Sequence, residues 1–188
     1  ASHLFQGLTG ATYSRSEGWE FIQFGKYIER ADKTTRILDV KYHILLPNAS
    51  DVGGAVDYYQ WSALLRSVSA LSSFRRIYRD QITPRRVAEL LILREDLPRS
   101  LHACMNEIYE ILRGLCRNDS MEPERLAGEL HAQFHYGRVE KIMKDGLHEH
   151  LMDFLEKLHQ LHAELNSHFL VPADFDPMSR TPAHTERE

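Results

Sequence analysis

Apolar residues recur at steps of three and four along almost the whole chain, and this spacing limits the fold more than any other feature. Such a period places apolar side chains on one face of an α-helix, whereas a half-buried β-strand alternates at every second residue. No segment alternates in that way with enrichment in β-branched residues. The sequence therefore predicts an all-α protein, a bundle of about six helices.

Proline and glycine residues mark where the predicted helices begin and end. Pro47 stops the first long helix, Gly53-Gly54 marks a turn, and Thr83 followed by Pro84 combines an N-cap residue with proline at the first helical position. The predicted helices span about 16–46, 55–80, 84–93, 98–115 and 122–143, and a last one begins after Gly146.

The two most regular stripes follow the four-three rhythm of a helical bundle. Their members are Leu101, Met105, Ile108, Leu112 and Leu115 in one helix, and Leu147, Leu151, Phe154, Leu158, Leu161 and Leu165 in the last. Beyond residue 170, three prolines stand among charged and small residues, which leaves little apolar surface to offset the entropy of ordering. We expect a helical domain over 1–170 and a disordered tail over 171–188.

Charge and composition limit which partners the protein can bind and where in the cell it can be found. The 188 residues include 27 acidic and 23 basic side chains, a net charge of -4, so the surface has no excess of positive charge for nucleic acid. No run approaches the roughly 18 apolar residues of a membrane span, and residues 1–7 lack the pattern of a signal peptide. Cys104 and Cys116, about 18 Å apart along one helix, are expected to be reduced thiols. These features predict a soluble, cytoplasmic protein.

The first long helix separates core, basic and mixed-charge faces. Its predicted core face comprises Phe21, Phe24, Tyr27, Ile28, Ala31, Leu38, Tyr42 and Leu45. Lys26, Arg30, Lys33 and Lys41 fall mostly on the opposite side, and Glu29, Asp32, Arg36, Asp39 and His43 form a stripe between the two. Glu29 and Arg30 are adjacent but point to different sides.

This acid/arginine stripe has two interpretations. It could edge a cleft where a charged ligand or partner docks. It could also be an ordinary solvated face, because the pairs Glu29 to Lys33, Asp32 to Arg36 and Asp39 to His43 each place an acid four residues before a base. Each such pair supports a helix by about 0.2–0.5 kcal/mol.

The stripe also carries a family resemblance. The segments 25–32 and 36–42, followed in order by 57–61, 65–70, 82–89 and 98–100, resemble the bacterial alpha-E domain family, which is named for its helical content and Glu-Arg motif. The resemblance covers about residues 2–170. Family members usually carry an earlier segment with its own Tyr-x-Glu-Arg helix, so the chain resembles the later part of the domain.

The resemblance implies a functional setting. The family occurs beside circularly permuted ATP-grasp ligases and transglutaminase-like proteases, which implies a role in a system that forms peptide or amide bonds. Both are therefore expected partners. Apolar surface that is meant for the earlier segment would favour self-association or a partner.

Other candidate sites are weaker. Arg85 and Arg86 begin a helix where positive charge opposes the helix dipole, so they could hold a phosphate or carboxylate, or they could pair with acids on neighbouring helices. His131 and His135 have a spacing that can hold a metal, but no Glu follows His131 and no cysteine pair assists, so we predict neither a metal nor a cofactor. Tyr58, Tyr59 and Trp61 could stack on a ligand but are expected to fill core.

The sequence contains no nucleophile motif and no phosphate-binding glycine loop. An autonomous ATP-using enzyme is therefore not expected, and the resemblance to the alpha-E family implies instead an accessory or substrate-handling domain that works with an ATP-grasp type ligase. Its predicted binding surface is a shared recess formed by Glu29, Arg30, Arg36, Asp39, Tyr59, Arg66, Arg85 and Arg86. Two alternatives remain open: an enzyme in which Glu29 or Asp39 is a general base, and a structural domain whose charges form internal ion pairs.

Overall fold

The computed structural model describes residues 2–43, 55–116 and 121–170. All regular structure in these ranges is helical, which confirms the all-α fold class. The tail that we expected to be disordered, 171–188, lies outside the described residues. The nine α-helices of the described ranges are α1 (Ser2–Thr12), α2 (Glu17–His43), α3 (Ala55–Ser67), α4 (Leu71–Tyr78), α5 (Pro84–Ala88), α6 (Leu101–Leu115), α7 (Glu122–His135), α8 (Val139–Asp145) and α9 (Leu147–Leu165).

Four long helices build the core. Helix α2 packs on α6, α6 on α7, α7 on α9, and α9 returns to α2, so the contacts close into a ring. The α9 stripe that the sequence predicts is buried from Leu147 to Leu165, and the α6 stripe is buried except for the partly exposed Leu115. Phe134 of α7 meets Phe154 of α9 edge to face at 5.1 Å between ring centroids. The four-three rhythm is thus the seam of this bundle.

Helix α2 buries the face that the sequence assigns to the core. Phe24, Ile28, Ala31 and Leu38 are buried, and Phe21 and Tyr27 pack against them partly exposed. The side chains of Tyr42 and Leu45 lie outside the described residues. Two acidic residues, Glu17 and Glu20, occupy the first turn, where they complement the helix dipole.

The predicted helix over 55–80 is wrong in one respect, because the chain turns between α3 and α4. Ser69 has a φ of 57°. The Ser69 amide donates to the Arg66 carbonyl at 2.9 Å, and the Ala70 amide donates to the Leu65 carbonyl at 2.7 Å. This is the Schellman pattern that ends many helices, usually at glycine. The sequence did not indicate this helix end, because the position carries a serine where a glycine would be expected.

The predicted helix over 122–143 is also two helices, since α7 and α8 are separated at residues 136–138. Gly137 allows the turn to pack closely. A Cβ on this residue would lie 2.8 Å from the Leu93 side chain and 2.9 Å from the Gln133 carbonyl oxygen. Any larger residue would therefore push the turn away from residues 89–93.

The segment after Thr83 begins as predicted and then changes its winding. The Thr83 hydroxyl accepts from the Arg86 amide, and Pro84 occupies the first turn of α5. A π-helical turn, Glu89–Leu93, follows directly and buries Leu90, Leu91 and Ile92. This turn packs against α6 and α7, so it covers one end of the contact between these two helices.

Ser2–Thr12 forms α1, a helix that is missing from the predicted set. Leu4 and Leu8 of α1 are 68% and 54% exposed. Within the described part of the chain, no helix has both the length and the apolar character needed to cross a membrane.

Candidate functional site

Two of the three predicted acid-base pairs of α2 are confirmed. Lys33 Nζ lies 2.6 Å from Glu29 Oε2, and the Arg36 guanidinium binds both carboxylate oxygens of Asp32, at 2.8 and 2.9 Å. The Glu29 and Lys33 side chains are each 67% exposed. Exposed pairs of this kind contribute about 0–1 kcal/mol to the stability of the fold. The main effect of these charges is therefore to keep this face of α2 hydrated.

The third acid, Asp39, reaches another helix. Its Oδ1 lies 2.6 Å from Nδ1 of His148 in α9. The predicted partner His43 has a side chain outside the described residues. Asp32 Oδ1 also lies 3.5 Å from His159 Nε2 of α9, so the stripe follows the seam between α2 and α9. The hydrogen bond with Asp39 raises the pKa of His148, and the hydrogen bond with Arg36 lowers the pKa of Asp32.

Arg30 points away from Glu29, as the sequence predicts. Its Nη1 donates to the Pro98 carbonyl at 3.0 Å, and Thr34 Oγ1 donates to the Arg99 carbonyl at 3.0 Å. Both contacts join α2 to the residues just before α6. Arg30 is thus a link between two helices of the core ring.

Beside Arg30, two groups on the α2–α6 face are held in their neutral forms. Burial first, and Glu107 next, raise the pKa of Tyr27 to about 12. Burial also raises the pKa of the Cys104 thiol to about 12, which leaves little thiolate at neutral pH. Cys104 and Cys116 are both free, as expected, and both are buried. Neither position supports nucleophilic chemistry.

Arg85 and Arg86 both pair with carboxylates, but only Arg85 pairs with an acid on a neighbouring helix, as the salt-bridge interpretation expects. Arg85 pairs with Glu140, which joins α5 to α8. Arg86 Nη1 lies 2.6 Å from Asp80 Oδ2. An anion at the start of α5 would have to displace these carboxylates.

Among the described residues, the charged members of the predicted shared recess that form pairs contact separate partners and not one another. Glu29, Arg36, Arg85 and Arg86 each pair with a different acid or base. Arg66 and Tyr59 are exposed on α3. A binding role for any of these residues stays a prediction. The expectation that aromatic residues at the start of α3 fill core is right for Trp61, 1% exposed, and wrong for Tyr58 and Tyr59, 41% and 70% exposed.

An open groove lies between α2 and α3. Its volume is about 410 Å³, and most of its lining side chains are apolar or small. The lining residues are Arg36, Ile37, Val40, Lys41, Gln60, Ala63, Leu64 and Ser67. Arg36 is the one member of the predicted surface that lines it among the described residues.

Lys41, which the sequence places on the solvent side of α2, is buried at 1% exposure. Its Nζ lies 2.9 Å from Asp57 Oδ1 and donates to Gln60 Oε1 at 2.6 Å. It also stands 5.0 Å from the Trp61 ring centroid. The prediction is wrong because a helical projection cannot show that α3 covers this part of α2 with a carboxylate.

Three histidines meet between α6 and α7. His102 of α6 joins the predicted pair, His131 and His135 of α7, and one ligand nitrogen from each lies within 4.8 Å of the other two. Tyr109 stacks on His131 at 5.0 Å. Burial, followed by the charges of the other two histidines, lowers the pKa of His131. The neutral form that this favours is the one that binds metals.

Comparison with known proteins adds one finding. Residues 1–170 match the Alpha-E family, described as a predicted alpha-helical domain with a conserved ER motif. The chain belongs to the Alpha-E family. No curated protein and no solved structure matches it.

This Alpha-E chain has Glu-Arg pairs in two of its described helices, at 29–30 and at 124–125. Arg125 bonds to Glu122 and Glu129 of its own helix. Arg30 instead bonds to Pro98, across to the start of α6. The pair at 29–30 is therefore the one whose arginine joins helices.

Proposed function

We propose that this Alpha-E domain is an accessory domain that binds an ATP-grasp type ligase through the groove between α2 and α3. The observation that carries the proposal is the set of exposed apolar side chains around this groove. Val40 lines it at 45% exposure, and Val56 and Tyr59 of α3 are 58% and 70% exposed. Val56 and Tyr59 precede the lining residues Gln60 and Ala63 by one helical turn, so they extend the same face.

The charged groups of the groove support docking rather than catalysis. Lys41 is bound to Asp57 and Arg36 to Asp32, each at no more than 2.9 Å. Because each charged group is already bound to its partner, neither is available as a general base or a nucleophile. Interfaces concentrate their binding energy in a few apolar and aromatic side chains that enter pockets of the partner. A groove of about 410 Å³ can accept several such side chains.

The identity of the partner rests on the family. The genomic company of the family, as the resemblance implies it, includes circularly permuted ATP-grasp ligases, so a ligase of that type is the partner we propose. The transglutaminase-like protease is a second proposed partner of the same system. Both proposals concern binding and leave the bond-forming chemistry to the partner.

The alternative in which Glu29 or Asp39 is a general base has less support. Glu29 is 67% exposed and its carboxylate is paired with Lys33, so it would have to leave this pair to accept a proton from a substrate. Asp39 already bonds to His148.

The test mixes the full chain with a circularly permuted ATP-grasp ligase from the same genome, and measures association by calorimetry and ATP turnover. Val40→Asp places a charge in the groove, and we expect it to weaken association at least about tenfold, the effect of losing a central apolar contact. Ile22→Asp is the matched control. Ile22 is 41% exposed on the same side of α2, about 27 Å along the helix, and its variant should bind like the parent.

Two outcomes would count against the proposal. If the full chain neither associates with the ligase nor changes its ATP turnover, the accessory role is wrong. If association occurs but Val40→Asp binds as tightly as Ile22→Asp, the groove is not the docking site.

A further inference from the structure

We propose that His102, His131 and His135 form a binding site for a divalent transition-metal ion. We argue the geometry for zinc. The site is independent of the groove and of the proposed partner. Its ligands come from two helices: His102 projects from α6, while His131 and His135 stand one turn apart on α7. Their ligand nitrogens already lie within 4.8 Å of one another.

A bound ion would require only a small contraction. Zn–N bonds of about 2.0–2.1 Å in a tetrahedral site place ligand nitrogens roughly 3.3 Å apart. His135 is exposed and His131 is partly exposed, so both rings have room to rotate. The centroids of the three rings lie 5.6–6.2 Å apart.

The contacts of His102 fix the orientation and the tautomer that its ring needs to bind a metal ion. Its Nδ1 lies 3.0 Å from the Leu93 carbonyl oxygen. Because a carbonyl can only accept, Nδ1 carries the hydrogen and the lone pair of the neutral ring is on Nε2. A metal-binding histidine almost always has this second contact, which sets its tautomer and orientation.

The nitrogen left for the metal has no other use in the described structure. His102 Nε2 is buried and has no hydrogen-bond partner among the described residues, and the same holds for Oδ1 of the neighbouring Asn106. A buried acceptor without a donor is unfavourable. A cation held by Nε2 would satisfy it.

The charge around the cluster also favours a cation. A cavity of about 430 Å³ adjoins His131 and His135, and it is lined by the carboxylates Glu95, Glu107 and Glu110. Three protein ligands leave one coordination position of zinc open, as in catalytic rather than structural zinc sites. Water or one of these carboxylates would take that position.

Imidazole nitrogens select zinc, cobalt, nickel and copper over magnesium and calcium, which prefer oxygen ligands. The probes are therefore zinc and cobalt. The full chain, without a histidine tag and stripped with a chelator, is titrated with Zn²⁺ by calorimetry and with Co²⁺ by visible absorption. We expect one ion per chain, a rise in melting temperature with Zn²⁺, and a cobalt spectrum that Zn²⁺ abolishes.

Variants locate the site. His135→Ala and His131→Ala change partly or fully exposed residues, and each should weaken zinc binding at least about tenfold, since even outer contacts of a metal site contribute tenfold or more. His162→Ala is the control because His162 is exposed on α9, and it should bind like the parent. His102→Gln is included with circular dichroism as a check of folding, and the two α7 variants keep the test valid if it does not fold.

Absence of saturable zinc binding by the folded parent would overturn the proposal. So would His131→Ala and His135→Ala variants that bind zinc as tightly as His162→Ala, because the ion would then lie elsewhere. Zinc binding that the α7 variants lose and the α9 control keeps would establish the site.

Discussion

Asp39 and His148 are separated by 109 residues in sequence, yet Asp39 Oδ1 and His148 Nδ1 lie 2.6 Å apart. The pair joins α2 to α9, two helices of the core ring. One member is a carboxylate and the other titrates near neutral pH, so the contact between these helices depends on pH.

The first prediction concerns the direction of that dependence. The contact raises the pKa of His148 in the folded protein above its unfolded value of about 6.5. The pair therefore stabilises the fold fully below about pH 6.5 and loses this contribution as pH rises through the folded pKa. Denaturant unfolding at several pH values should show that stability falls less over this window in His148→Gln than in the parent.

Two measurements complete this test. An NMR titration of the His148 ring should give a pKa above 6.5, and Asp39→Asn should lower it. His162→Ala, which changes an exposed histidine of the same helix, should keep the pH dependence of the parent. If His148→Gln and the parent lose stability in parallel, the contact does not hold α2 and α9 together.

The buried pair of Lys41 and Asp57 provides the second prediction. The two side chains are 2% and 6% exposed, so Asp57→Ala would leave a charged or desolvated amine under α3. Breaking a buried pair by removing one partner costs about 3–5 kcal/mol. Urea unfolding should show a loss of this size, whereas the double variant Lys41→Met with Asp57→Leu should recover much of it. A loss below about 1 kcal/mol in Asp57→Ala would contradict the buried position of Lys41.

Features that depend on the sequence of a single helix were predictable, whereas features that depend on a second, distant segment were not. The period of the apolar residues predicts the core faces of α2, α6 and α9, because burial of one face is a property of each helix alone. The Thr83-Pro84 start and the start of the last helix after Gly146 were also predictable. Gly146 has a φ of 107°, a conformation that favours glycine.

Features that depend on a second segment were not predictable. Nothing near Lys41 in the sequence indicates that Asp57 would meet it, and nothing near His131 and His135 points to His102. The acid/arginine stripe shows the same limit. Its pairs within α2 follow from spacing, but the contacts of Asp39 with His148 and of Arg30 with Pro98 require knowledge of which helices are neighbours.

The left-handed Ser69 leads to the third prediction. Its φ of 57° is costly for a residue with a Cβ by about 1–2 kcal/mol, whereas glycine adopts it freely. Glycine also loses more entropy on folding, so Ser69→Gly should raise the free energy of unfolding by roughly 0.5–1 kcal/mol. Ser72→Gly, an exposed position in the first turn of α4, relieves no left-handed residue and should not raise the free energy of unfolding. Equal effects of the two changes would mean that residue 69 is not in the left-handed region.

Arg30 leads to the fourth prediction, which concerns the Glu-Arg pair at 29–30. If its contact with the Pro98 carbonyl is the reason for the arginine, Arg30→Ala should lower the free energy of unfolding by about 1 kcal/mol. The amides at the start of α6, about 101–104, should also exchange hydrogen faster, because the residues before them lose their anchor to α2. Glu29→Ala is the control. It removes an exposed pair with Lys33 and should change stability by less than about 0.5 kcal/mol. Faster exchange that is spread evenly over the chain, or equal to that of Glu29→Ala, would show that Arg30 does not position α6.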